Sequence, residues 1–241
     1  MFDLSYEDGV AMLRLNRPEM RNAVPMDGWR RIAELAREAG QRARLLLIKG
    51  SRAAFCAGAD ISEFSILQTH PEMRVRFREA MREAFDTIRD LSIPTIAIIE
   101  GPCFGAGVAL ALACDLRLAG PEAMFAITPA KMGISYPQED VHALVSLVGR
   151  SNAARLLFGG LTIDCDEAAR IGLADLPPNR DIERLLSAII ANSAASISAL
   201  KRGIALAEAG VRSSAEQDES FDALLGSDDF HARLAALRSK R

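Results

Sequence analysis

Little in this sequence advertises a metal, a nucleic acid or a membrane. Its 241 residues hold three histidines, far apart, and four cysteines, Cys56, Cys103, Cys114 and Cys165, with no CxxC pair among them. That spacing argues against a structural zinc and against a histidine metal site, and free thiols fit a reducing cytoplasm. Net charge is -3 and no basic block occurs, which argues against a nucleic-acid partner. Pro94, Glu100 and Asp115 interrupt the most apolar region, so no 18-residue apolar run exists to span a bilayer. The first ten residues, MFDLSYEDGV, have neither a charged n-region nor an apolar h-region, so no signal peptide is expected. Tyrosine is scarce too, with Tyr6 and Tyr136 the two examples. Acids, bases and ligands that do chemistry must therefore come from few places.

What is present is a chain 49% hydrophobic and 25% charged, long enough to bury a substantial core. FDLSYEDGVAMLRLN reads as a hairpin turned at Asp8-Gly9, where positive φ is needed. A helix is expected from Pro25 to Gly40, with Trp29, Ile32, Leu35 and Ala36 on its apolar face. RLLLIKG (44–50), IPTIAIIEG (93–101) and DLRLAG (115–120) read as buried strands. Between the first two, Met73, Phe77, Met81, Phe85 and Ile88 form one stripe of a helix spanning 71–91. Strands alternating with helices imply crossover connections and mostly parallel pairing. After residue 137 the pattern reads as helices alone, over 137–149, 151–158, 164–171, 181–192, 196–209, 213–225 and 229–238. Pro177-Pro178 breaks the chain between the third and fourth of these.

Chemistry is expected at two strand ends. FCAGAD (55–60) follows the strand at 44–49, and FGAG (104–107) follows the strand at 94–99. Where a strand turns into a helix, backbone N–H groups lack intrahelical partners and the helix dipole adds positive potential. Gly and Ala leave those groups open to a ligand. Two such turns facing one another would form an oxyanion hole. The plainer alternative is that the glycines only allow close helix–strand packing.

LRLNRPEMRNAV (13–24), LLLIKGSRAAFCAGADISEF (45–64), IPTIAIIEGPCFGAGVALALACDLRLAG (93–120) and LLFGGLTIDCDEAARIGLAD (156–175) together resemble the crotonase superfamily, the enoyl-CoA hydratase/isomerase family. The resemblance runs collinearly to SDDFHARLAAL, near the end of the chain. It implies an α/β fold, a crotonase-like spiral of ββα units over 1–190, with a C-terminal helical trimerisation region over 191–241. Homotrimers, or dimers of trimers, are implied as well. The implied ligand is an acyl-CoA, with coenzyme A entering as part of the thioester substrate and no separate cofactor. Carried onto this chain, the oxyanion donors would be the backbone amides of Ala59 and Ala106. Arg21, Ala23 and Val24 would lie near the nucleotide end of coenzyme A, and Ala57, Asp60 and Ile61 would line the adenine and pantetheine path. A solvated surface residue is the other reading of Arg21.

The chain departs from the family where hydration chemistry resides. Hydratases carry one glutamate four residues beyond the glycine turn and a second in an FGxPExxxG-like stretch. Here GAGVALA puts Ala109 at the first place, and FAITPAKMG puts Pro129 at the second. Neither residue moves protons, so efficient hydration is not expected. The stretch 127–144 resembles the corresponding part of methylmalonyl-CoA decarboxylase, a crotonase member in which a tyrosine at the place of Tyr136 helps hold the departing carboxylate. That resemblance is local, and packing at a helix start is the alternative role for Tyr136. Glu139 and Asp140 are further carboxylates in reach, either as a base of the isomerase kind or as first-turn acids favoured by the helix dipole. His142 reads as a helix-face residue, and Cys56 and Cys103 as small buried residues without a base to activate them. The expected function is an acyl-CoA enzyme that stabilises a thioester enolate, of isomerase or decarboxylase type. The alternative is an acyl-CoA-binding homologue with weak or no catalysis.

Overall fold

The computed structural model describes residues 1–51, 54–175 and 182–239 of the chain. Strands β1 (Phe2–Glu7) and β2 (Val10–Leu15) form the expected antiparallel hairpin. Its turn is carried by Asp8 at φ 48° and Gly9 at φ 81°, the left-handed pair that matches strand twist. Strand β2 then pairs in parallel with β3 (Leu45–Gly50), β3 with β4 (Thr95–Ile99), and β4 with β6 (Leu116–Ala119). The resulting sheet has the order β1-β2-β3-β4-β6.

Helices cover both faces of that sheet because both faces are apolar. On one side α1 (Met26–Arg42) and α3 (Pro71–Arg89) pack together, with Trp29 set edge-on to Phe85 at 5.4 Å between ring centres. On the other, Leu185, Leu186 and Ile189 of α7 (Ile182–Ala191) pack against the buried Leu45, Leu47, Ile96 and Leu118. Helices α8 (Ala194–Glu208), α9 (Ala215–Leu225) and α10 (Asp228–Ser239) carry no buried side chain. Lys201 ties α8 to the core through Asp115 Oδ2 at 2.8 Å and the carbonyl of Ile93 at 3.0 Å. Pro177-Pro178 lies outside the described residues.

A second sheet was not legible in the hydrophobic period. Strands β5 (Pro102–Phe104), β7 (Met124–Ala126) and β8 (Ile163–Asp164) make it, in the order β5-β7-β8. Two or three residues are too short to display an alternation, and β8 corrects the expectation of helices alone after residue 137. The FGAG turn consequently follows β5 rather than β4. The glycine turn opens the short helix α4 (Ala106–Leu112). The stretch 61–69 also coils, into a 3-10 turn over Ile61–Glu63 and helix α2 (Phe64–Thr69). Helix α5 (Gln138–Gly159) is interrupted at Gly149, whose φ of 75° separates the two expected helices, and α6 (Cys165–Arg170) follows β8.

Candidate functional site

The two turns lie side by side. The Phe104 N–H donates to the Cys56 carbonyl at 2.8 Å and the Cys56 N–H to the Pro102 carbonyl at 3.2 Å, a parallel bridge of Cys56 with Cys103. Two glycines permit this approach. Gly58 sits at φ 100°, and a Cβ there would stand 2.8 Å from the Phe104 carbonyl oxygen and 3.1 Å from the Ala106 nitrogen. A Cβ on Gly107 would come within 2.4 Å of the Cys56 carbonyl oxygen. Close packing and an open amide are thus one device.

The bridge of Val24 with Ala59 uses the flanking groups: Val24 N–H donates to the Gly58 carbonyl at 2.8 Å, and Asp60 N–H to the Val24 carbonyl at 2.9 Å. In that pattern the Ala59 N–H faces away from Val24. Ala106 opens α4 behind Gly105, which holds φ 52°, so its N–H has no intrahelical acceptor. Among the described residues neither the Ala59 nor the Ala106 N–H meets an acceptor. Both residues line a cavity of about 500 Å³.

The loop bearing Ala59 is held rigidly from below. Asn22, fully buried at φ 59°, donates from Nδ2 to the carbonyls of Ser51 and Ala54 at 3.1 and 2.8 Å. Its Oδ1 accepts from the Arg17 N–H at 2.9 Å. Asp60 is also buried; it accepts from Ser62 N–H and hydroxyl and pairs with Arg17. The Ser62 and Arg17 contacts hold its carboxyl below the usual range. Asp60 caps the 61–63 turn and does not itself line the cavity. Ala23 and Val24 are likewise buried in the support, and Arg21 is exposed with its carbonyl accepting from the Ala57 N–H at 3.0 Å. Ala57 and Ile61 do line the cavity. Arg17 and Asn22 belong to the stretch LRLNRPEMRNAV, but their role is a network that a linear reading does not reveal.

The opposite wall comes from α3 and from the segment 128–140. Phe77 of α3 meets Phe64 edge-on at 5.7 Å, and Met81, Thr128, Pro129 and Met132 add to the lining. Ala109 is buried and does not reach the cavity wall. Tyr136 lines the cavity, yet its hydroxyl donates to the Gly105 carbonyl at 3.0 Å. Burial raises its pKa well above the ordinary phenol value, so it stays a neutral donor. The tyrosine thus braces the turn that presents Ala106.

Asp140 is the carboxylate of this wall, the sole one among the described residues, and it is 4% exposed. Arg82 of α3 approaches it at 3.2 Å through Nη1. Burial still outweighs that attraction and pushes the carboxyl up to about 6, with Arg82 and Arg89 lowering it and Glu139 raising it. Glu139 itself is exposed outside this cavity. Cys56 and Cys103 are fully buried, and burial raises both thiols, Cys56 to about 12. They are inert packing groups.

Fold and site together define a mixed α/β protein with a largely apolar cleft, two free amides on one wall and one carboxylate on the other. A family model described as Enoyl-CoA hydratase/isomerase matches residues 5–227, and the chain belongs to that family. It is 31% identical over 176 residues to the "Probable enoyl-CoA hydratase echA6" of Mycobacterium tuberculosis, a match covering 73% of this chain and 70% of that protein. Among solved structures, an enoyl-CoA hydratase/carnithine racemase from Magnetospirillum magneticum superposes with a TM-score of 0.91 at 30% identity, covering 100% of this chain and 93% of that one. An enoyl-CoA hydratase from Polaromonas sp. JS666 gives a TM-score of 0.89 at 26% identity, with 100% and 97% covered. The expected crotonase fold is therefore the observed one. Among the described residues no helix is long and apolar enough to cross a membrane.

Proposed function

We propose that this chain acts on coenzyme A thioesters as an isomerase-type enzyme, holding the thioester oxygen on the Ala59 and Ala106 amides and moving a proton with Asp140. The observation that carries this reading is the meeting of two acceptor-free amides and one buried carboxylate on a single cavity. As a proton leaves the α-carbon, charge builds on the thioester oxygen, and each fixed donor lowers the barrier by about 3 kcal/mol. Shifting a double bond needs one group that takes a proton at one carbon and, after exchange with solvent, delivers one at another. A carboxyl pushed up to about 6 suits both directions near neutral pH.

Efficient water addition is disfavoured because the two positions that carry glutamates in hydratases are Ala109 and Pro129. Decarboxylation is less well supported as well. Tyr136 already gives its hydroxyl proton to the Gly105 carbonyl and so is not free to hold a departing carboxylate. Retention of a ligand without turnover does not explain a carboxylate kept buried against its desolvation cost. The proposal includes self-assembly through the C-terminal helices, where Leu200, Ile204, Phe221 and Leu237 are more than half exposed.

A three-substrate comparison tests the function: a 3-enoyl-CoA, crotonyl-CoA and methylmalonyl-CoA. Isomerisation is expected to exceed hydration by roughly a hundredfold, the worth of a positioned acid or base. Dominant hydration, or dominant release of carbon dioxide from methylmalonyl-CoA, would replace this reading. Binding of all three without turnover would reduce the chain to an acyl-CoA-binding protein.

A further inference from the structure

A second cavity, of about 480 Å³, adjoins the first and shares Arg78, Met81, Pro137 and Asp140 with it. Its character is different. Where the first is walled by Phe64, Phe77, Ile134 and the glycine turns, the second is lined by Arg78, Glu79, Arg82, Gln138, Glu139 and Asp140. Two arginines of α3, Arg78 and Arg82, stand one turn apart on the same helix face, both on this cavity.

Their donors are incompletely used. No hydrogen bond or ion pair holds Arg78 among the described residues. Arg82 gives Nη1 to Asp140, but its Nη2 lies 2.9 Å from Asp86 outside hydrogen-bond geometry, and its Nε meets no acceptor among the described residues. Buried guanidinium donors without acceptors are rare in folded proteins, and a carboxylate is their natural planar partner. Glu79 and Glu139 are exposed, where solvent and salt weaken their opposition.

We infer that the second cavity receives the far end of the acyl chain and that this end carries a carboxylate. The substrate class is then a monothioester of a dicarboxylic acid, with the thioester at Ala59 and Ala106 and the distal carboxylate at Arg78 and Arg82. This rests on the proposed acyl-CoA function, and it assigns Arg78 the role of selecting the substrate.

Calorimetry on the intact protein with matched pairs of saturated acyl-CoAs tests the inference. Each pair, from four to eight acyl carbons, differs only in a terminal methyl or a terminal carboxylate. At one chain length the carboxylate member should bind about tenfold tighter or more, and Arg78→Gln should abolish that preference. Arg78 is exposed on a helix surface, so the variant should fold. Equal binding of both members at every length overturns the inference while leaving the acyl-CoA function standing. Equal weakening of both members by Arg78→Gln also overturns it, because the arginine would then serve the coenzyme A phosphates. Failure of every acyl-CoA to bind removes the underlying function instead.

Discussion

Gly58 and Ala106 meet backbone to backbone, so closely that a Cβ on the glycine would stand 3.1 Å from the Ala106 nitrogen. Residues nearly fifty positions apart thereby bring two free amides to one cavity. Gly58→Ala should damage this contact twice, through its φ of 100° and through collision with the Phe104 carbonyl oxygen at 2.8 Å. A loss of 1–3 kcal/mol in unfolding free energy, on the order expected for strained backbone, should accompany weakened acyl-CoA binding. Denaturant unfolding and calorimetry read the two effects; an unchanged variant would remove Gly58 from the account.

Ala106→Pro deletes one amide donor at a helix position where proline is otherwise tolerated. Turnover should fall roughly a hundredfold to a thousandfold, as for loss of one oxyanion donor. Circular dichroism should show the helices retained. Full activity in the folded variant would contradict a role for that amide.

Tyr136→Phe removes only the hydroxyl that donates to the Gly105 carbonyl. The expected cost is about 1 kcal/mol of stability, and turnover should drop about tenfold as the Ala106 turn loosens. Unchanged turnover alongside the stability loss would confine Tyr136 to packing.

Asp140 makes stability depend on pH in a direction opposite to that of most carboxylates. Its carboxyl rises from an ordinary 3.8 to about 6, so between these values the folded chain binds more protons than the unfolded one. Its contribution to stability is greatest below 3.8 and falls as pH climbs to about 6, by on the order of 3 kcal/mol. Asp140→Asn should lack that dependence in urea titrations run at several pH values. The turnover of the wild type should rise through the same region, as the ionised form becomes available to accept a proton. A flat difference between the two proteins across that window would show that Asp140 does not titrate there.

The hairpin, the three parallel strands and the long α3 were legible because each displays a full hydrophobic period or a Gly turn in its own residues. Strands β5, β7 and β8 were not, since two or three residues hold no period. Ala59 and Ala106 were found through their glycine neighbours. The family resemblance implies Asp60 on the adenine and pantetheine path; its pairing with Arg17 and Ser62, which support the loop beside the cavity, is not visible in the linear sequence. Asp140 reads from the sequence first as a first-turn helix acid, with a base as the alternative. What separates it from Glu139 is the packing of α3 beside it, and that contact joins residues 58 positions apart.

Exchange of carbon-bound hydrogen tests the central claim most directly. A 3-enoyl-CoA incubated with the protein in deuterium oxide should gain deuterium as it is converted to the 2-enoyl-CoA, read by mass spectrometry, with little hydroxyacyl product. Asp140→Asn should slow that incorporation by roughly a hundredfold or more while leaving the thioester bound. Deuterium entering at the same rate in wild type and Asp140→Asn, or hydroxyacyl-CoA forming as the main product, would contradict proton transfer by Asp140 beside the Ala59 and Ala106 amides.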